Sequence, residues 1–316
     1  AEFFNHDLLQ AQDSSYWFLG ERRAGPPGTG VLIQKDVEAG SIQRYPSPID
    51  IGIFSQLLED HLGNIWIFGR SSEMARFDVK TKKFTAYSYA SLTGVKEASY
   101  AQLEDQNKQL WIGSPHGLVQ GRLDEKGRMQ FKLHQCDPQK SKSLSNNVVL
   151  SLCDDPINPQ RFLWVGTRGG GLNLFDKKTG ECTYFNVSNG LPDDVIYGIL
   201  PDARGNLWLS TNSGLSKFSP KSKHFENYSV ADGLQDNEFN TVSHTKGYDG
   251  RLFFGGVNGI TAFDPEKIVP NVKPPEVLIT ALKINNKTTL PGEGILTQNI
   301  ETTQSITLPY AQNHIS

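Results

Sequence analysis

The chain has 316 residues, of which 37% are hydrophobic and 21% charged, and its net charge at neutral pH is −3. This length suffices for one large core or two domains, and the balanced charge does not indicate a partner such as nucleic acid or a membrane surface. The sequence contains no run of about eighteen apolar residues and does not open with a basic stretch followed by an apolar one. We therefore expect neither a spanning helix nor a signal peptide within these residues.

Near its start the chain has a run, Asp7 to Asp13, that already matches the apolar strand with an acidic end found before most later anchors. We therefore expect the sequence to begin inside a repeat array. The first repeat continues into an irregular loop, 22–30, rich in Pro and Gly. This loop lacks the Gly-Lys-Ser/Thr ending and the following helix of a phosphate loop.

A tryptophan flanked by apolar residues marks each repeat. In the clearest copy, Leu207 to Leu209 reads as a strand, Asn212 to Gly214 as a turn, and Leu215 to Phe218 as the returning strand. The anchors are 49, 45, 53, 44 and 45 residues apart, and the longest interval contains an insertion at 154–160. They are Trp17, Trp66, Trp111, Trp164, Trp208 and, with phenylalanine replacing tryptophan, Phe253.

Each interval holds two further strand patterns. An apolar run ending in an acidic residue and a turn precedes most anchors, as in 197–206, and a basic turn with an aromatic strand follows, as in 177–185 and 221–228. A period in the forties with four short strands is typical of a β-propeller blade, and neighbouring blades must stack to bury their faces. We predict an all-β propeller of four-stranded blades, with six recognisable modules that form the whole ring or part of a seven-bladed one. A β-sandwich with similarly spaced turns is the alternative.

The repeat pattern stops at 264–275, where three prolines in six residues predict a semi-rigid spacer. Beyond it, 277–286 and 305–308 are predicted strands, too few for an independent core. We predict a propeller over 1–270 and the start of a β-sandwich over 271–316.

No motif indicates a cofactor, a metal or catalysis. The three cysteines, Cys136, Cys153 and Cys182, and the seven histidines lack metal-ligand spacing, and we interpret the cysteines as small buried apolar residues. Turns such as 202–206 lack the Ser and Thr of the sialidase aspartate box and read as plain Asp/Gly/Asn turns, and no Gly-x-Ser-x-Gly elbow occurs. We predict no catalytic residue, with a propeller lyase or hydrolase as the less favoured alternative.

The repeated cores, Gly-Asn-Leu-Trp-Leu-Ser-Thr at 205–211 and Leu-Trp-Val-Gly-Thr-Arg-Gly-Gly-Gly-Leu at 163–172, followed by Lys-x-Phe-x-x-Tyr, resemble the two-component regulator propeller repeat of bacterial membrane sensors. Residues 233–240 with 255–268 resemble the last blade of such arrays. Residues 278–286 and 306–310 resemble the opening of the triple-tyrosine (Y_Y_Y) domain that joins these propellers to the membrane.

This resemblance implies a periplasmic ligand-sensing region of a sensor histidine kinase or hybrid regulator, often one that controls glycan use. It also implies a homodimer in the intact receptor, joined to the membrane through further C-terminal sequence. The same repeats precede diguanylate cyclases. A pure interaction scaffold is a third possibility, although the Gly-His and Trp-Asp dipeptides of Trp-Asp propellers do not occur.

In a propeller, the loops between second and third strands lie on one face with the loops that enter each blade. The entry loops carry Asn146, Asn147, Asp193 and Asn237. Because arginine suits carboxylate or sulfate and amides suit sugar hydroxyls, we predict that an acidic or sulfated oligosaccharide, or another small molecule, binds over the channel mouth, and we expect no nucleic acid. The alternative is that the arginines in the loops between second and third strands only solvate the loop tips or pair with entry-loop aspartates. The candidate ligand-binding residues are Arg22, Arg23, Arg70, His116, Arg168, Asn212 and Asn258.

Overall fold

The structure, a computed structural model, describes residues 3–22, 29–37, 39–52, 55–94, 97–268, 279–292, 295–310 and 314–315, and in 3–6, 21–22 and 29 the backbone alone. The chain divides into two compact units, Ala1–Lys267 and Ile268–Ser316.

The first unit consists of successive antiparallel sheets whose strands pair in chain order. The first three sheets are β1 (Phe3–Gln10), β2 (Tyr16–Arg22), β3 (Thr29–Lys35) and β4 (Ile42–Asp50); β5 (Gln56–Glu59), β6 (Ile65–Phe68), β7 (Glu73–Asp78) and β8 (Lys83–Ser88); and β9 (Ala101–Glu104), β10 (Leu110–Ser114), β11 (Gly117–Leu123) and β12 (Met129–His134). The next three are β13 (Val149–Asp154), β14 (Phe162–Thr167), β15 (Leu172–Asp176) and β16 (Cys182–Phe185); β17 (Gly198–Pro201), β18 (Leu207–Thr211), β19 (Gly214–Ser219) and β20 (His224–Tyr228); and β21 (Phe239–Lys246), β22 (Leu252–Gly256) and β23 (Gly259–Phe263).

These sheets are the blades of a propeller, which confirms the all-β fold predicted from the repeats. The first strands of successive blades contact one another, from β1 and β5 through to β17 and β21, so the first strand of each blade is innermost. Two details differ from the prediction. The sixth blade has three strands among the described residues, and a single helical turn, α1 (Ala90–Thr93), with several short 3-10 turns, lies between strands.

The hydrophobic core consists of the interfaces between neighbouring blades. Leu172 of the fourth blade, for example, belongs to one buried cluster with Leu207 and Leu209 of the fifth. Each anchor lies on the second strand of its blade. The five tryptophans are at most 3% exposed, whereas Phe253 is half-buried.

A buried aspartate before the second strand accepts a hydrogen bond from the anchor indole in four blades. Its second carboxylate oxygen accepts backbone N–H groups of the turn, as Asp202 Oδ1 does from Arg204 at 2.9 Å and Asn206 at 2.8 Å. In the first blade, Ser15 Oγ accepts from Trp17 Nε1 at 2.9 Å instead. Each carboxylate therefore joins the turn to the core. The Nε1–Oδ2 distances are 3.1 Å for Trp66 and Asp60, 2.8 Å for Trp111 and Asp105, 2.7 Å for Trp164 and Asp155, and 3.3 Å for Trp208 and Asp202.

A phenylalanine on the third strand of one blade packs against the anchor tryptophan of the blade before it. In each case it pairs opposite the residue that precedes its own blade's anchor. The third blade breaks this pattern, because Gly121 occupies the corresponding position opposite Leu110. The ring centroid distances are 5.7 Å for Phe77 and Trp17, 5.4 Å for Phe175 and Trp111, 5.4 Å for Phe218 and Trp164, and 4.7 Å for Phe263 and Trp208.

In the second unit, the described residues form two short strands, β24 (Lys283–Ile284) and β25 (Lys287–Thr288), joined by a turn. The strand predicted over 277–286 is thus reduced to its end in the described part, and the strand predicted over 305–308 is not formed. In the segment 305–308 the apolar residues Ile306 and Leu308 are only partly buried, and no neighbouring strand pairs with the segment among the described residues. The assignment of this unit to a triple-tyrosine domain stays a prediction.

Candidate functional site

The loops between second and third strands are hydrogen-bonded to the loop that enters the next blade. Gly169 N and Gly171 N donate to Asp194 O at 3.0 and 2.9 Å, and Gly214 N donates to Asn237 O at 2.7 Å. These bonds place the predicted loop residues of neighbouring blades side by side. We call this surface the loop face.

Arg168, in the fourth blade, lies over the ring of Tyr100 from the entry loop of the third blade. Its guanidinium is 5.6 Å from the ring centroid of Tyr100. Burial raises the pKa of Tyr197 in the fifth blade, and the positive charge of Arg168 opposes that rise. Arg168 is exposed, and among the described residues it forms no ion pair within 4.0 Å. The arrangement presents an available cation beside one aromatic ring, with Tyr197 within range of its charge, which suits an anionic ligand with a ring that can stack.

The surroundings of Tyr197 are polar and charged in an asymmetric way. Its hydroxyl donates to Asn212 Oδ1 at 2.8 Å. Burial raises the pKa of Tyr197, and the carboxylates of Glu238 and Asp193 raise it further, while Arg168 opposes them. The phenol of Tyr197 therefore stays a neutral hydrogen-bonding group at physiological pH. A cation, Arg168, and two anions, Glu238 and Asp193, lie within range of it.

The other candidate residues on the loop face are placed as follows. Arg70 is exposed, and its stem lies alongside Gly52. His116 Nε2 lies 3.3 Å from Glu97 Oε2, although the contact lacks hydrogen-bond geometry. Asn258 donates from Nδ2 to Asp236 Oδ2 at 3.2 Å.

The structure thus groups Arg168 with Asn212, whereas His116 and Asn258 already contact their own entry-loop carboxylates. Arg23 and the side chain of Arg22 lie outside the described residues.

The side chains of the four predicted entry-loop residues mainly form hydrogen bonds with backbone groups. Their side-chain oxygens accept N–H groups of nearby residues, so they shape the loops more than they offer free hydrogen-bonding groups. The bonds are Asn146 Oδ1 from Val148 at 2.8 Å, Asn147 Oδ1 from Cys136 at 2.7 Å, Asp193 Oδ1 from Val195 at 2.7 Å and Asn237 Oδ1 from Val230 at 2.9 Å.

Tyr100 and Tyr197 are the site residues that sequence reasoning missed. Each directly precedes the innermost strand of its blade and lies five positions before the turn aspartate, Asp105 or Asp202. That shared spacing was a usable signal, because two repeats place an aromatic residue where the chain enters the loop face.

A half-buried histidine on the innermost strand β21, His244, lies apart from this cluster. The ring of His244 packs directly on Gly198 of β17, and its Nδ1 is buried without a hydrogen-bond partner among the described residues. Burial lowers the pKa of His244 from its usual 6.5 to about 4.

We expect His244 to make the propeller sensitive to acid. Its folded pKa lies below its unfolded one, so its contribution to stability is fully present above about pH 6.5 and is lost as the pH falls toward 4. Urea unfolding at pH 7, 6, 5 and 4.5 should show a shallower decline for His244→Gln than for the parent chain. His224→Gln, at the exposed first residue of β20, should decline like the parent, and an unchanged slope for His244→Gln would contradict the assignment.

Within the part of the chain that the structure describes, no three His, Cys, Asp or Glu side chains are grouped as metal ligands would be. In the same residues no helix has the length and apolar character needed to cross a membrane.

Comparison with known proteins supports both the fold and the sequence resemblance. Residues 190–213 match the family described as two component regulator propeller. Histidine kinase P4 from Formosa agariphila is 30% identical over 264 residues, which is 80% of this chain and 18% of that protein. The chain therefore spans less than a fifth of the length of this relative.

Two solved structures show the same architecture. Virginiamycin B lyase from Staphylococcus aureus has a TM-score of 0.61 and 16% identity, with 84% of this chain and 82% of that chain covered. The β-propeller domain of Cps50 (Swd1) from Myceliophteria thermophila has a TM-score of 0.54 and 11% identity, with 82% and 86% covered. The sheets and these likenesses define the first unit as a β-propeller, and such low identities show no shared activity.

Proposed function

We propose that this chain is the extracytoplasmic, periplasmic ligand-sensing region of a bacterial two-component sensor, either a histidine kinase or a hybrid regulator. The observation that supports this most is the 30% identity to Histidine kinase P4 across most of the propeller, together with the match of residues 190–213 to the regulator propeller. In this proposal the intact receptor is a homodimer, and the propeller binds ligand without transforming it.

The ligand we propose is an acidic or sulfated oligosaccharide bound on the loop face. Arg168 provides a planar cation, Tyr100 and Tyr197 provide ring faces, and Asn212 and Glu238 provide groups that can bind hydroxyls. The anionic substituent would lie toward Tyr100, because the carboxylates of Glu238 and Asp193 repel it from the Tyr197 side. Arg70 is a second exposed cation of the same face.

Calorimetric titration with acidic and neutral glycan fragments at two salt concentrations tests the ligand class. Arg168→Ala should weaken binding of an acidic fragment by about tenfold or more, since a charge-assisted hydrogen bond contributes roughly 1.5–3 kcal/mol. Arg70→Ala should weaken it less, and binding should fall as salt rises. Arg251→Ala, on a turn at the other end of the blades where it pairs with Asp249, should bind as the parent does. Salt-independent binding, or binding unaffected by removal of both Arg70 and Arg168, would exclude the ligand site.

The sensor role is tested separately by determining which domains the full-length protein contains. It predicts that the full-length protein carries a transmembrane helix and a histidine kinase domain. A diguanylate cyclase domain in that place would instead assign the propeller to that class of sensor, and the absence of any signalling domain would favour an interaction scaffold.

A further inference from the structure

The missing phenylalanine of the third blade leaves a groove beneath Trp66. In blades two, four, five and six a phenylalanine fills this place against the preceding anchor, but Gly121 has no side chain, and Met129 and Phe131 pack near it instead. The groove has a volume of about 370 Å³ and is lined by Trp66, Gly121 and Met129, among others. It opens at the turns between first and second strands, which lie at the opposite end of the blades from the loop face.

The rim of this groove is cationic. Arg76 of the second blade and Lys108 and Arg122 of the third all line it, and among the described residues none of the three lies within 4.0 Å of a carboxylate. Two acidic side chains line the groove, and both are already bound. Asp60 accepts from Trp66 Nε1 at 3.1 Å, and Glu104 Oε1 lies 2.8 Å from His61 Nδ1. Three cations without counter-ions around an open cavity favour an anion there.

The floor of the groove is apolar, and its aromatic wall is fixed. Trp66 is held by Asp60 through Nε1 at 3.1 Å and is stacked on Tyr87 at 5.6 Å, so its position does not depend on the missing phenylalanine. Met129 and Phe131 fill much of the space, since a Cβ built on Gly121 would lie 3.2 Å from Met129 Sδ and 3.4 Å from Phe131 Cε1. Trp66 is 3% exposed, so a planar or chair-shaped ring takes the place against it by displacing Met129, whose unbranched side chain adopts alternative rotamers easily.

From these observations we propose that the groove between the second and third blades is a second ligand site, which takes a six-membered sugar ring bearing one carboxylate or sulfate. The ring lies against Trp66 and the anionic group lies among Arg76, Lys108 and Arg122. Gln109 and Asn107 line the opening. Gln109 Oε1 already accepts from Gln120, and Asn107 Nδ2 already donates to Gln160 O, but the other half of each amide can bind a ring hydroxyl, which an aromatic acid lacks. The site is separate from the one on the loop face and does not depend on it.

The test is fluorine NMR of protein labelled with 5-fluorotryptophan, in which each of the five tryptophans gives its own resonance and Trp66→Phe identifies that of Trp66. Glucuronic acid and glucose 6-sulfate are the probes for the two anionic groups, and glucose and benzoate are the neutral and aromatic comparisons. Saturable movement of the Trp66 resonance by either anionic sugar, without comparable movement by glucose or benzoate, is the expected result.

Two variants connect that signal to the groove. Gly121→Phe should abolish the Trp66 response by filling the cavity, and the backbone there tolerates a side chain because Gly121 is not among the residues with positive φ. Arg122→Gln, an exposed change that does not threaten folding, should weaken the response about tenfold, whereas Arg128→Gln on the adjacent turn should not.

The proposal fails if no saturable shift of Trp66 occurs, if glucose or benzoate shifts it equally, or if the shift survives Gly121→Phe and Arg122→Gln. Arg168→Ala separates the two sites: it should leave the Trp66 response intact even if binding on the loop face is lost.

Discussion

Replacing Trp164 by alanine should lower the free energy of unfolding by about 3–5 kcal/mol, the usual cost of removing a large aromatic side chain from a core. Trp164 is 2% exposed and packs against Phe218 at 5.4 Å and Phe185 at 6.1 Å. Its removal also leaves Asp155 Oδ2 without the indole N–H that it accepts at 2.7 Å. Such a loss is a large part of the stability of an ordinary domain.

Urea unfolding followed by circular dichroism measures this loss. Tyr248→Ala provides the matched control, because Tyr248 is 87% exposed and its removal should change stability by no more than about 0.5 kcal/mol. If Trp164→Ala fails to fold, Trp164→Phe retains most of the packing and should still be destabilised by loss of the bond to Asp155. A cost below about 1 kcal/mol for Trp164→Ala would show that the anchors are not the main support of the blade interfaces.

Lys177→Met should be nearly as damaging, because it removes the cation from a buried network between the third and fourth blades. Lys177 is 4% exposed, and its Nζ lies 2.9 Å from Asp105 Oδ2, 2.7 Å from Asp154 Oδ1 and 2.6 Å from Pro159 O. The Asp105 side chain is fully inaccessible. Breaking a buried ion pair by removing one partner typically costs about 3–5 kcal/mol, since the remaining charge is left without compensation.

The control for Lys177 is Lys142→Met, which removes a pair with Glu181 in which both side chains are more than half exposed. Exposed pairs contribute about 0–1 kcal/mol. The loss in Lys177→Met should also shrink as the pH is lowered. Burial already raises the pKa of Asp154 and Lys177 opposes that rise, so without the lysine the folded state binds protons more readily and gains stability toward acid. A pH-independent loss would indicate packing and not charge as the cause.

The repeat anchors were predictable from sequence because they are local signals. A tryptophan between apolar residues, a turn and a returning strand are all visible within a dozen residues, as at 206–218, and the spacing of such units gives the propeller. The Asp/Gly/Asn turns were also recognisable. However, the second function of Asp60 and its counterparts, accepting the indole N–H, was missed, because it depends on where the side chains point after the strands pair.

The contacts between blades were not predictable in this way. Lys177 reads as part of an exposed basic turn, yet it is buried against aspartates that lie 23 and 72 residues earlier in the chain. Similarly, the absence of a phenylalanine at Gly121 is recognised only when the third strand of its blade is seen to lie beside Trp66. The candidate site shows the same limit: Arg168 and Asn212 were selected from their loops, but Tyr100, whose ring lies beside Arg168, and Tyr197, which donates to Asn212, come from two different blades.

The hydrogen bond between a turn aspartate and its anchor indole spans only six residues in three of the blades, from Asp60, Asp105 and Asp202. A slip of one residue in the second strand would turn the tryptophan to the opposite side of the sheet and break this bond. Each hairpin therefore fixes its own alignment without help from distant parts of the chain. During synthesis, when near-identical strands from several repeats are available as wrong partners, a blade whose first hairpin has closed around its aspartate no longer offers those strands for mispairing.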